Sequence, residues 1–350
     1  MRSPLPSVIT VRPAAPARPR GRRAVRRAGL IALVAVLAVV MCLSVAVGSQ
    51  HVPVPTVLRI VFAPDGSAES ALIHDLRVPR TLLGLVVGAA LGASGALMQV
   101  LTRNPLADPG LLGVNYGASF AVVCSIAFLG VTSVGGYIWF AFAGAAIAAC
   151  AVYALGAAGG GSPARLALAG VAVSASLGAA TNGFLSLNGT VFDQMRFWDV
   201  GALAGREFEV FWPVLPFLLA GAVIAVALGP SLNALALGDD AGTGLGTRVN
   251  LVRLLGAVSI VLLCGAATAA IGPVTFVGLT VAHIARAITG PDNRWVIAYS
   301  MVLGPVLLLA SDVLGRVLVR PAELQVGIVT AFLGAPVFIA LIRRDKIAKL

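Results

Sequence analysis

Residues 77–101 read RVPRTLLGLVVGAALGASGALMQVL. Arg77 and Arg80 open the stretch, and no further charge follows until Arg103. Residues 81–101 therefore supply the roughly 20 apolar residues that a helix needs to cross a bilayer. Gly84, Gly88 and Gly92 recur four apart, with Gly95 just beyond. That small-xxx-small spacing places them on one helix face, where a second backbone can approach closely. The stretch predicts a membrane helix packed at the centre of a bundle. The plainer reading is general glycine enrichment in a chain with 40 glycines.

Working outward, similar apolar runs fill the chain. They cover about 30–47, 81–101, 111–131, 137–158, 166–187, 210–228, 254–271, 274–288, 296–310 and 326–342, bounded by charges, Gly or Pro. Gly272-Pro273 divides one over-long segment into two. The expectation is an all-α polytopic membrane protein of about ten transmembrane helices. Composition agrees: 59% of the 350 residues are hydrophobic and 11% are charged, against roughly 25% charged in soluble domains. Mean hydropathy is +0.97. A soluble globular domain is excluded. The run 30–47 follows paired arginines and resembles a signal-peptide core, but it is long for one and more membrane follows, so it is taken as helix 1.

The net charge of +11 suggests nucleic acid until its placement is read. Eight arginines fall within residues 1–27, and Arg343, Arg344, Lys346 and Lys349 close the chain. Basic flanks beside apolar spans set orientation. With ten alternating helices, only Arg59, Arg77, Arg80, Arg196, Arg206, Arg316 and Arg320 fall outside, 7 of the 25 Lys and Arg. The other 18 lie inside, which places both termini in the cytoplasm of a multi-pass cell-membrane (inner-membrane) protein. Residues 1–27 read as a disordered basic tail, 28–344 as the membrane domain and 345–350 as a second tail.

Catalytic chemistry finds no support. The only two Lys, Lys346 and Lys349, do not follow glycine, so there is no phosphate-binding P-loop. Gly242-Thr-Gly244-Leu-Gly246 lacks the spacing of a dinucleotide fingerprint. Cys42, Cys124, Cys150 and Cys264 sit singly in apolar runs and read as small buried hydrophobes. His283 reads as a packing or capping residue rather than a proton relay. The expectation is no catalytic residue, no metal and no cofactor bound by this chain. The internal connector 229–253 carries a short helical pattern, Leu232, Leu235 and Leu237, then Asp239 and Asp240. It reads equally as a docking surface for a soluble partner or as a solvated connector.

Several motifs together resemble the FecCD/BtuC-like permeases, the membrane subunits of type II ABC importers for iron-siderophores, haem and vitamin B12. They include Arg77-Val-Pro-Arg80-Thr with the glycine-striped helix, Arg103-Asn-Pro-Leu-Ala-Asp-Pro-Gly-Leu-Leu-Gly113-Val-Asn-Tyr-Gly117, Leu168-Ala-Gly170-Val and Arg196-Phe-Trp198 with Gly201. Further along are Leu237-Gly-Asp-Asp-Ala241 with Leu245-Gly246, Gly272-Pro-Val-Thr-Phe-Val-Gly278-Leu, His283-Ile-Ala-Arg286, Gly290-Pro-Asp292, Asp312, Glu323-Leu and Gly334-Ala-Pro336. The resemblance spans about residues 30–344. Within it, TRNPLADPGLLGVN, DQMRFW and LGTRV look most like the branch serving ferric enterobactin. Ala282 and Gln325 stand where the family usually has proline, and the Arg-rich N-tail is extra.

The resemblance implies the type II importer permease fold and a path for an enterobactin-like ferric siderophore, with vitamin B12 or haem as the alternative. It implies a second permease subunit, unlike rather than identical, and two cytoplasmic ATPases that hydrolyse ATP on this chain's behalf. Their docking loop would use Leu237, Gly238, Asp239, Asp240, Ala241 and Gly246. An extracytoplasmic binding protein would dock through Arg77, Arg80 and Arg316, which the alternation independently places outside. The rival reading of those arginines is interfacial snorkelling. An ion-coupled secondary transporter is the distant alternative. It would want ionisable residues at mid-membrane, and the runs as drawn hold none except Arg286 and His283. A non-transport scaffold is a further rival.

Overall fold

The computed structural model describes residues 20–48, 52–158, 163–196 and 198–343. Residues 1–19 of the tail assigned to 1–27, and all of the tail assigned to 345–350, lie outside them. Among the described residues the fold is helical throughout. In order, the helices are α1 (Arg20–Ala46), α2 (Val54–Phe62), α3 (Ala68–Ala71), α4 (Val78–Leu101), α5 (Val114–Leu129), α6 (Val134–Ala158), α7 (Pro163–Leu187) and α8 (Gly189–Met195). They continue as α9 (Phe208–Ala236), α10 (Asp239–Gly244), α11 (Val249–Ile260), α12 (Ala266–Ile271), α13 (Val277–Thr289), α14 (Asn293–Leu318) and α15 (Val326–Arg343). A π-turn, Leu72–Arg77, fuses α3 to α4, and another, Val261–Gly265, fuses α11 to α12.

Among the described residues, seven helices are long and apolar enough to cross a membrane, and three shorter apolar ones accompany them: Val114–Leu129, Val277–Thr289 and Val326–Ala340. The ten hydropathic runs each contain a helix, but not ten of spanning length.

The centre of the bundle is α4. Its most extensive neighbour is α14, with α13, α9 and α11 also against it. The glycines make that approach possible. A Cβ on Gly88 would lie 2.5 Å from the Pro305 Cα, and one on Gly92 or Gly95 would strike the carbonyl of Ser300 or Gly278. Backbone thus lies on backbone, and dispersion between close-packed atoms replaces side-chain contact. A second cluster stands apart, where Val57 and Ile60 of α2 bury against Ile73. The turn into α3 is capped by Ser67, whose hydroxyl accepts from Ser70 N–H at 3.1 Å. Ser67 also donates through N–H and hydroxyl to Asp65, which holds that carboxyl below the ordinary carboxylate range.

Three boundaries differ from expectation for physical reasons. Helix α1 begins at Arg20, inside the stretch expected to be disordered; there Arg26 C=O accepts from the Tyr299 hydroxyl at 2.7 Å and Arg26 pairs with Asp292 at 3.6 Å. Helix α14 continues past residue 310 to Leu318, because Asp312 and Arg316 neutralise each other. The connector 229–253 is mostly helix: α9 runs to Ala236 with Pro230 inside it, and α10 follows at once.

Candidate functional site

Charge gathers at the two ends of α4. At its Val78 end the arginines face the end of α1. A helix leaves its last carbonyls without partners and carries partial negative charge there. Arg77 Nη1 donates to Val45 O at 3.0 Å and Ala46 O at 2.9 Å. Arg316 Nη1 donates to Ser44 O and Val47 O, each at 2.8 Å, and Nη2 donates to Ser44 Oγ at 2.9 Å. Two guanidinium groups therefore cap α1.

Arg80 instead meets carboxylates, with Nη2 2.7 Å from Asp312 Oδ1 and Nη1 2.8 Å from Glu323 Oε2. Asp312 Oδ2 also accepts from Arg316 Nη2 at 2.7 Å. The three arginines named from the sequence are thus brought together, and each holds the protein's own backbone or acids. They also line an open pocket of about 300 Å³ with Arg206 and Glu323. Arg206 is buried and donates to the Tyr137 hydroxyl at 3.0 Å. Four cations and one lining carboxylate make the pocket attractive to an anionic group.

At its Leu101 end, Arg103 has a left-handed backbone, φ +49, uncommon for a residue with a Cβ. Its guanidinium reaches Leu235 O at 3.0 Å and the Asp239 carboxylate. Arg253 Nη2 donates to the same carboxylate at 2.9 Å. Asp239 therefore faces inward and ties α10 to α4 and α11. Asp240 and Ala241 are exposed, as are Leu237 and Leu245, each about two-thirds open. Gly238 (φ +113) and Gly246 (φ +80) bracket α10 in conformations suited to glycine.

Between these ends, a smaller pocket of about 250 Å³ lies beside Asn115, Ser119, Asp199 and Thr275. The residue pattern gave no sign of it, nor of Arg206. Their partners come from distant segments, and a linear reading has no signal for such meetings. His283 packs edge-on against Phe338, and its Nδ1 lies 3.1 Å from Leu279 O.

Comparison with known proteins gives this arrangement a context. A model of the FecCD transport family matches residues 36–344. The ferric enterobactin transport system permease protein FepD of Escherichia coli is 48% identical over 309 residues, covering 87% of this chain and 92% of that protein. The iron(3+)-hydroxamate import system permease protein FhuB of Bacillus subtilis is 39% identical, covering 87% and 80%. Among solved structures, an inward-facing metal-chelate-type ABC transporter superposes with a TM-score of 0.80 at 25% identity, covering 92% of this chain and 99% of that one. With the motifs, the helical order and a match running almost end to end, the chain belongs to the FecCD transport family.

Proposed function

We propose that this chain is the membrane-spanning permease subunit of an ATP-binding-cassette importer that carries a ferric siderophore inward by alternating access. The 48% identity to a ferric enterobactin permease carries this reading and favours an enterobactin-like cargo. The three short apolar helices complete ten crossings, and the cation asymmetry puts both termini in the cytoplasm of a cell-membrane protein. The chain binds no cofactor and hydrolyses nothing; two ATPases supply the energy from the cytoplasm.

Their landing site is the face of α10 with Leu237, Asp240 and Leu245, while Asp239 passes movement inward to Arg103 and so to α4. An extracytoplasmic binding protein presents acidic residues to the pocket of Arg77, Arg80 and Arg316. A second permease, unlike this one, covers the open face of α7, where Ser176, Ala179, Asn182 and Gly183 are exposed. A second copy of the same chain is the alternative. Polar and small residues on a membrane helix fit a partner or a wet path better than lipid.

Vesicles made with the complete transporter test the reading. Uptake of iron-55 siderophore should require internal ATP and survive collapse of the ion gradients. Uptake driven by a gradient without ATP would overturn it. In a cysteine-free background, an external impermeant thiol reagent should modify Ala63→Cys and leave Thr243→Cys untouched. The reverse pattern would invert the topology.

A further inference from the structure

Helix α1 is seated on α14 by one of its faces. A Cβ on Gly29 would lie 2.5 Å from the Tyr299 hydroxyl oxygen, and that hydroxyl donates to Arg26 O at 2.7 Å. The Arg26 guanidinium pairs with Asp292 at 3.6 Å. Further along the same face, Leu30 and Leu33 pack against the core and Leu37 is buried. These contacts fix the rotation of α1 about its own axis. They leave Arg23, Arg27, Ile31 and Val34 exposed. Spaced four, four and three apart, those residues form one continuous stripe along the helix.

The stripe changes character abruptly. Two cations open it, and no charge follows between Ala28 and Ala46. Arg27 therefore stands at the edge of an apolar run long enough to cross the hydrocarbon core, the depth at which headgroups begin. Trp295 lies in the first turn of α14 at the same end of the bundle, its ring centroid 6.4 Å from that of Tyr299. Tryptophan gathers at headgroup depth in membrane proteins. Among the described residues, no hydrogen bond or ion pair holds Arg23 or Arg27. The carboxylate of Asp292, which holds their neighbour Arg26, is already engaged. It also accepts from Asn233 Nδ2 at 2.9 Å and from Arg294 N–H at 3.2 Å.

We propose that this stripe is a binding site for an anionic glycerophospholipid, with Arg23 and Arg27 on the phosphate and Ile31 and Val34 along an acyl chain. Two exposed guanidinium groups one helical turn apart suit a phosphate, to which arginine donates charge-assisted hydrogen bonds. The apolar continuation selects the source of that phosphate. A free anion would touch the arginines alone, whereas a lipid also covers Ile31 and Val34. A zwitterionic lipid offers the same chains, but its own cation offsets the attraction. Basic residues beside a membrane span favour anionic lipid strongly enough that two of them are worth on the order of tenfold in affinity. The assignment is independent of which cargo the protein carries.

The full chain, purified in a neutral detergent, tests this by native mass spectrometry with two probes of identical acyl chains, phosphatidylglycerol and phosphatidylcholine. Wild type should retain phosphatidylglycerol on the order of tenfold more tightly. Arg23→Gln with Arg27→Gln should abolish that preference, and Arg23→Lys with Arg27→Lys should keep most of it. Arg2→Gln with Arg12→Gln removes the same charge outside the stripe and should leave the preference intact. Glycerol phosphate, the headgroup without chains, should not displace the lipid at equal concentration. Ile31→Asn should weaken retention of both lipids, which keeps the proposal testable if the double glutamine variant fails to fold. No preference in wild type, or an undiminished one in the double glutamine variant, overturns the assignment. An equal loss in the Arg2 and Arg12 variant overturns it too, because diffuse charge would then suffice. Displacement by glycerol phosphate, or unchanged retention in Ile31→Asn, would make this a plain anion site and likewise overturn it. None of these readouts involves cargo or ATP, so the outcome is separate from that of the importer reading.

Discussion

Arg80 and Asp312, 232 residues apart in sequence, form a two-pronged ion pair, with Nη2 2.7 Å from Oδ1 and Nε 3.0 Å from Oδ2. The Asp312 side chain is 1% exposed and also holds Arg316, itself 2% exposed. Glu323, the fourth member, is 23% exposed. Two cations and two anions balance, so the group can sit where a lone charge could not.

Asp312→Asn should be strongly destabilising. It leaves two buried guanidinium groups facing a neutral amide, and breaking a buried pair typically costs about 3–5 kcal/mol. Glu323→Gln should cost much less, because that carboxylate is partly solvated and screened. Membrane abundance and the unfolding midpoint in detergent would show the difference. Equal midpoints for the two variants would mean that the cluster is not the clamp its geometry describes. The same reasoning bears on tests of docking. Charge reversal at Arg80 removes a clamp as well as a contact, so lost binding is informative only where abundance is measured too.

Much of this was legible in the sequence, and the limits are instructive. Spacing alone put Gly84, Gly88 and Gly92 on one face, and that face meets α14. Hydropathy located a helix in every run because apolar surface is a local property. It ended α14 early, since a window that counts Asp312 and Arg316 as two charges cannot know that they cancel. It treated Asp239 and Asp240 as one acidic step for the same reason: only the fold turns the first toward Arg103 and Arg253 and the second toward solvent. The Asp199 pocket left no trace, because its walls come from four separated segments.

The two neighbouring aspartates should separate by assay. Asp239 is about two-fifths exposed, so losing its pairs should cost no more than about 1 kcal/mol of folding stability. Its loss should instead loosen α10 from α4. Asp239→Ala should keep the ATPases bound while uptake per ATP hydrolysed falls, and Arg103→Asp with Asp239→Arg should recover part of the coupling. Asp240→Arg should weaken ATPase capture itself, measured by co-purification at low salt. Identical behaviour of Asp239→Ala and Asp240→Arg in both assays would show that α10 acts as an undivided surface.

Glycine substitutions should distinguish packing within the subunit from packing against its partner. A side chain on Gly92 would collide with the Ser300 carbonyl, which is backbone inside α14 and cannot turn aside. Gly92→Leu must therefore force α4 and α14 apart, and overpacking of this kind costs roughly 1–3 kcal/mol or more. Gly183 lies on α7 with nothing within 4 Å of the Cβ it would gain. Gly183→Leu should leave the isolated subunit at normal abundance, with an unshifted unfolding midpoint. If α7 faces a second permease, the same substitution should still reduce assembly of the complex and siderophore uptake. Loss of abundance in both variants would place Gly183 inside the subunit's own fold. Normal abundance with normal assembly and uptake in Gly183→Leu would leave that part of α7 facing lipid, and the second permease would have to pack elsewhere.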